Sequence, residues 1–230
     1  MSTPTSAHGL GPDHARAIRV ARTLQPFNHN PQARPEDPAR WWRTLCWAAD
    51  RIAVSGDLDP GRAADQLAEW VAAGVTDILD VRGEANDARR VAAHAPTLRY
   101  HWLGTHDDGD RQAASWFDEI ATVVEPVLAD PARRLVIHCH LGVNRGPSAT
   151  LTALLLQGLH PIEAMDAIRA ARPVASMMYA GDAVVWWGVR EGLAGDEIVA
   201  LHDEVCAWHE ANPLDVPYCI QQMGRARYAA

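Results

Sequence analysis

One run of the sequence places a thiol, a guanidinium and a glycine where together they can enclose an anion: Val136-Ile-His-Cys-His-Leu-Gly-Val-Asn-Arg-Gly-Pro-Ser148. Five residues separate Cys139 from Arg145. The apolar run Arg134 to His138 predicts a buried parallel strand, and Pro147 suits the first turn of a helix starting near Arg145. Strand, short loop and helix N-terminus in that order turn the amides of His140, Leu141, Gly142, Val143, Asn144 and Arg145 inward, as a cradle for one tetrahedral anion. Gly142 supplies the backbone freedom that so tight a loop needs. The planar fork of Arg145 is suited to gripping two oxygens of that anion. The same amides and helix dipole stabilise a thiolate at Cys139, which is the nucleophilic form.

The elements that must hold this loop follow from hydrophobic periodicity. Ile52 to Val54 predicts a short strand. Ala64, Leu67, Trp70 and Val71 share a helical face after Arg62, and the helix ends near Gly74. Val75 to Val81 and Tyr100 to Leu103 predict two further strands. Beyond the polar loop from Gly104 to Asp110, Trp116, Ile120, Val123, Val124 and Val127 form one helical stripe, with Pro126 a candidate kink. Helices are also expected from Arg145 to Gly158, from Pro161 to just before Pro173, around Trp186 and Trp187, and over 195–212 before Pro213. Strands and helices alternate, so the fold class is α/β, a central mainly parallel sheet flanked by helices. The organisation predicted is a Pro-rich N-terminal arm over 1–40, a domain over 41–194 and a helical tail over 195–230. Six prolines in the arm, Pro4, Pro12, Pro26, Pro31, Pro35 and Pro38, predict an irregular segment.

The pattern His138-Cys139-x5-Arg145 resembles the signature of the protein tyrosine phosphatase superfamily, and its surroundings are similar to the dual-specificity branch. The likeness extends to Ala164-Met-Asp-Ala-Ile-Arg-Ala-Ala-Arg-Pro173 and covers roughly 48 to 190. It implies a dual-specificity phosphatase-like fold with Cys139, Arg145 and Asp107 as the catalytic residues. Asp107 matches the family's general acid because it lies 32 residues ahead of Cys139 and precedes Trp116-Phe117; Asp108 and Asp110 are its neighbours, and spacing favours Asp107. Cys139 would attack phosphorus, Arg145 and the loop amides would steady the equatorial oxygens, and Asp107 would protonate the leaving oxygen and then activate water. His138 is expected to order the Cys139 backbone by hydrogen bonding. The chain departs from the family at Gly146, where Ser or Thr assists departure of the thiolate; Ser148, two residues on, is not assumed to replace it.

No metal and no cofactor are expected. His138, Cys139 and His140 are adjacent and cannot converge on one tetrahedral zinc ion, and the Asp107 to Asp110 cluster lacks the alternating ligands of a calcium loop. His140 is read as a residue at the pocket mouth, and Trp41, Trp42 and Trp47 as packing residues. Cys46, Cys206 and Cys219 are read as structural thiols. A net charge of −8 disfavours nucleic acid and anionic membranes as partners. No apolar run approaches the roughly 20 residues of a membrane span, and the N-terminus does not read as a secretory signal. The expectation is a cytoplasmic phosphomonoester hydrolase acting on phosphorylated protein (Tyr, Ser or Thr) or on a small phosphomonoester. Alternatives from other classes are a slow or inactive phospho-binding module, suggested by Gly146, and a phosphoinositide or small-molecule phosphatase.

Overall fold

The computed structural model describes residues 30–229, with side chains described up to residue 226. Its sheet has five strands: β1 (Cys46–Trp47), β2 (Ile52–Ser55), β3 (Asp77–Arg82), β4 (Arg99–Thr105) and β5 (Leu135–His138). Their order is β1-β2-β5-β3-β4. Only β1 runs antiparallel, pairing Cys46 with Val54; the other contacts are parallel. Around the sheet lie α1 (Ala63–Ala72), α2 (Ala88–His94), α3 (Ala114–Ala129), α4 (Arg145–Leu156), α5 (Pro161–Ala171), α6 (Ala180–Arg190), α7 (Gly195–Ala211) and α8 (Val216–Ala229). The α/β class and mainly parallel sheet are those expected from the sequence.

Alternation along β5 shows why its residues are apolar without interruption. Leu135 and Ile137 enter the large core with Trp116 and Phe117 of α3, and Leu151 and Leu154 of α4. Val136, between them, faces Leu67 and Trp70 of α1 and Val91 of α2. A strand covered on both faces has no solvent side to mark with polar residues. Helix α3 continues through Pro126 to Ala129. Arg51 donates to the carbonyls of Val127, Leu128 and Asp130 at its end, where carbonyls lack the full set of helical donors.

Three elements were not expected. Strand β1 is two residues long, too short to show a period. Helix α2 is seven residues long, carries Val91 as its one large apolar side chain and buries only that residue. Helix α8 begins three residues after Pro213, a second helix in a tail where one, over 195–212, was expected. It packs Val216, Cys219 and Met223 against Trp42 and against Val143 of the candidate loop. Residues 1–29 of the expected irregular arm lie outside the described residues. The remainder forms short 3-10 turns at Pro31–Ala33 and Pro38–Trp41 and is tied to the tail by Arg34 donating to Asp215 at 2.9 Å. Trp42 is buried, as a packing residue should be. Among the described residues no helix is long and apolar enough to cross a membrane.

Burial lowers the pKa of His138, His202 and His209, in the last case to about 4 from an ordinary 6.5. Below pH 6.5 the unfolded chain takes up protons that folded His209 refuses until about pH 4. Stability from this histidine is therefore complete above about 6.5 and declines as the pH falls towards 4. The slope from His209 should approach roughly 1.4 kcal/mol per pH unit between those limits. Urea midpoints at pH 7.5 and 5.0 measure this; a midpoint unchanged or higher at pH 5.0 refutes it.

Candidate active site

The carboxyl ends of four adjacent strands deliver the residues of one site. Asp57 lies two residues beyond β2, Glu84 two beyond β3, Asp107 two beyond β4, and Cys139 immediately follows β5. Parallel strands end on the same side of a sheet, so residues far apart in sequence converge there.

The cradle is visible in what lies behind it. The carbonyl of His140 accepts from Trp42 Nε1 and from the Asp57 amide. Those of Leu141 and Gly142 accept from the Arg172 guanidinium at 2.9 and 2.6 Å. Those of Val143 and Asn144 accept from the amides of Ser176 and Ser148. Every carbonyl from 140 to 144 is thus held outward. A trans peptide sets the following N–H opposite its C=O, so the amides of residues 141 to 145 face inward. Gly142 has φ +65°, and a Cβ there would lie 2.4 Å from Arg172 Nη2, so the loop requires glycine at this place.

Arg172 is the main residue that the sequence reading missed. It is fully buried, and among the described residues no carboxylate pairs with it. Its guanidinium also donates to the carbonyls of Trp42 and Thr44. Each buried carbonyl left without a donor costs about 1–3 kcal/mol. Sequence offered one signal, since Arg172 falls inside the segment that resembles the family.

Cys139 is 3% exposed and its thiol is free. Arg145 sits above it as the first residue of α4, held by partners on two sides. Its Nη1 and Nη2 donate to Glu84 at 2.6 and 2.8 Å, and Nη1 also donates to the Thr105 carbonyl at 2.9 Å. Its Nε makes no hydrogen bond within the protein; Asp107 Oδ2 is 3.3 Å away. That leaves Nε and the remaining Nη2 proton for an anion. Glu84 is held down at about 2, chiefly by the hydrogen bond from Arg145.

Of the neighbouring carboxylates, the structure brings Asp107 to Arg145, whereas Asp108 accepts from the Asp110 amide within its own turn. Asp107 Oδ1 accepts from Asn144 Nδ2 at 2.6 Å and from the Tyr179 hydroxyl at 3.0 Å. His140 lies 3.2 Å from Asp57 through Nδ1, at the rim of the loop. The expected interaction of His138 with the Cys139 backbone is felt as a contact that favours the charged imidazole, while neither ring nitrogen reaches full hydrogen-bond geometry. His138 instead packs beside Trp70, ring centroids 6.0 Å apart. Burial within that apolar layer outweighs the pull of Asp80, 3.8 Å away.

Behind His138 lies a compact charged cluster. Asp80, Asp87 and His138 place potential ligand atoms within 4.8 Å of one another. The Arg82 guanidinium already bonds both carboxylates, and Tyr100 donates to Asp80 at 2.6 Å. A positive charge therefore occupies the place that a metal ion would take.

At Gly146, a Cβ would lie 3.4 Å from Cys139 Sγ and 3.2 Å from its amide nitrogen. A hydroxyl at this position would touch the sulfur. Ser148 is engaged elsewhere: its Oγ accepts from the Tyr179 amide at 3.3 Å and lies 3.5 Å from Asn144 Oδ1. Ser148 therefore does not replace the absent hydroxyl.

No family model matches the chain. In sequence the chain is similar to dual specificity protein phosphatase 26 of Bos taurus and of Homo sapiens, 25% identical over 130 residues. The match covers 56% of this chain and 61% of each relative, so the chain spans less than two thirds of their length. In structure it is similar to human DUSP28, with a TM-score of 0.53 and 19% identity over 64% of this chain and 95% of that one. It is also similar to Tk-PTP in its active form, with a TM-score of 0.52 and 15% identity over 69% of this chain and 98% of that one. These likenesses show the fold, a dual-specificity phosphatase-like sheet and helices.

Proposed function

We propose that this dual-specificity phosphatase-like chain of the protein tyrosine phosphatase superfamily hydrolyses phosphomonoesters through a phosphocysteine on Cys139. The observation that carries this reading is the loop itself: five amides turned inward between a buried thiol and a buried guanidinium whose Nε makes no hydrogen bond within the protein. In the first step the Cys139 thiolate forms an S–P bond as the P–O bond to the leaving group breaks. Arg145 and the amides hold the equatorial oxygens, and Asp107 gives its proton to the leaving oxygen. In the second step water attacks phosphorus, its proton passes to Asp107, and the S–P bond breaks to restore the thiolate. The positive charge required is supplied by Arg145 and backbone dipoles, so the scheme needs no metal.

Phosphorylated protein, at Tyr, Ser or Thr, is the substrate class we favour. Glu84 and Asp107 stand beside Arg145, and two carboxylates at the mouth oppose a polyanionic head group more than a single phosphoryl group. We assign catalysis to 41–194, with the arm and tail bracing the loop through Trp42 and α8. Four cysteines, none in a disulfide and one of which must stay reduced to act, support work in a reducing cytoplasm.

A second reading, a phospho-binding protein that turns over slowly, is favoured by Gly146. Mixing the protein with p-nitrophenyl phosphate in EDTA separates the two. We expect a burst of about one equivalent of nitrophenolate followed by a slower steady rate. Gly146→Ser should raise the steady rate about tenfold and keep the burst, the effect of one hydrogen bond to a departing thiolate. Vanadate binding with neither burst nor turnover would overturn the enzyme reading.

A further inference from the structure

Two side chains beside the phosphate loop converge on a single oxygen of Asp107. Asn144 Nδ2 and the Tyr179 hydroxyl both donate to Oδ1, at 2.6 and 3.0 Å. Oδ2 receives neither and faces Arg145 Nε at 3.3 Å. The two carboxylate oxygens are therefore different. One is tied to the protein, and the other is turned towards the place where a phosphoryl group would lie.

Both donors are themselves fixed. Asn144 Oδ1 accepts from the Met178 amide at 2.8 Å, which sets the amide orientation and leaves its NH2 group for Asp107. Tyr179 is 2% exposed and its ring stands edge-on to Trp116, centroids 6.4 Å apart. Burial and the neighbouring Asp107 charge raise the phenol's pKa, so it stays protonated and serves as a donor. Asp107 lies in an exposed stretch between β4 and α3 that holds Asp108, Gly109 and Asp110. Without these two bonds its carboxyl group would sample many orientations, at a cost paid in each catalytic cycle.

We propose that Asn144 and Tyr179 are positioning residues that hold Oδ1 of Asp107, so that Oδ2 is the oxygen that exchanges a proton with the substrate. This rests on the phosphatase reading above. The proton on Oδ2 moves to the leaving oxygen as its bond to phosphorus breaks and sulfur takes its place. When water later attacks the phosphocysteine, its proton returns to Oδ2 and the thiolate departs. Neither Asn144 nor Tyr179 exchanges a proton; both act through Asp107.

Proton donation matters most when the leaving group is poor, which gives a readout that mere loss of packing would not move. kcat/KM is measured on p-nitrophenyl phosphate and on phenyl phosphate for the wild type, Tyr179→Phe and Asn144→Ala, each also in an Asp107→Asn background. Tyr179→Phe removes one hydroxyl and keeps the ring against Trp116. It should cost roughly tenfold on phenyl phosphate, the loss expected for one hydrogen bond to a charged group, and distinctly less on p-nitrophenyl phosphate. Asn144→Ala should show the same tilt. In the Asp107→Asn background Tyr179→Phe should cost nothing further, because residues acting through one group are not additive. An equal loss on both esters, or an undiminished loss in the Asp107→Asn background, overturns the positioning role while leaving the phosphatase reading intact. A wild type that hydrolyses neither ester removes the phosphatase reading and this proposal with it.

Discussion

Cys139→Ser lowers kcat/KM by at least about 10⁴-fold and leaves phosphate affinity nearly unchanged. A serine hydroxyl is a nucleophile only when a base takes its proton, and the site has none placed for that task. His138, adjacent in sequence, has its ring packed beside Trp70 with neither nitrogen hydrogen-bonded. Asp107 is engaged by Asn144 and Tyr179 and stands on the leaving-group side. The anion cradle, in contrast, does not depend on the sulfur. The carbonyls of residues 140 to 144 are anchored from behind by Trp42, Asp57, Arg172, Ser176 and Ser148, through bonds in which the Cys139 side chain takes no part. Steady-state kinetics together with calorimetric titration of inorganic phosphate into both proteins checks this. A serine variant retaining more than about 1% of activity would exclude Cys139 as the nucleophile.

Arg145→Lys should cost about 10³-fold in kcat/KM, more than the loss of a single charge would cause. The wild-type guanidinium meets three demands at once. Its Nη1 and Nη2 satisfy Glu84, Nη1 also satisfies the Thr105 carbonyl, and Nε faces Asp107 Oδ2 at 3.3 Å without a hydrogen bond of its own. A lysine ammonium is a point charge without a fork and cannot bind Glu84 in bidentate fashion while presenting two further donors to phosphate. Removing one transition-state donor typically costs about 10²–10³-fold, and here at least one is lost while another is misplaced. Glu84 reports the change independently. Its pKa is held at about 2 by the hydrogen bond from Arg145, below the unfolded value, so the stability it contributes is present above the ordinary 4.5 and lost as the pH falls through about 2. In the lysine variant its pKa should rise towards that ordinary value, visible in carboxyl resonances during an NMR titration. A variant with Glu84 still near 2 and activity within tenfold of wild type would show that the bidentate geometry is dispensable.

The division between local and distant sequence explains what could be read in advance. Cys139, Gly142 and Arg145 lie within seven consecutive residues, and strand, loop and helix N-terminus are short-range structures with their own residue preferences. The cradle, the α/β class and the flanking helices α1, α3, α4, α5, α6 and α7 were therefore legible as hydrophobic periodicity around a glycine-containing loop. Asp107 was legible from spacing, but its preference over Asp108 became a contact only where Asn144 and Tyr179 reach it across 37 and 72 residues.

Tertiary structure alone decided the remainder. Glu84 is an unremarked acid in a turn until parallel pairing of β3 beside β5 places it against Arg145, 61 residues away. Arg172 reads as a helix-end charge until folding buries it under the loop, where it fixes the direction of two carbonyls. Trp42 and α8, outside the segment that resembles the family, reach the same loop from the two ends of the described chain. Sequence by itself determined the class of fold and singled out the thiol and the loop proposed to act, because each is written in neighbouring residues. Which carboxylates and guanidinium hold that loop in working shape was decided by the crossover of parallel strands, which gathers their carboxyl ends whatever the distance between them along the chain.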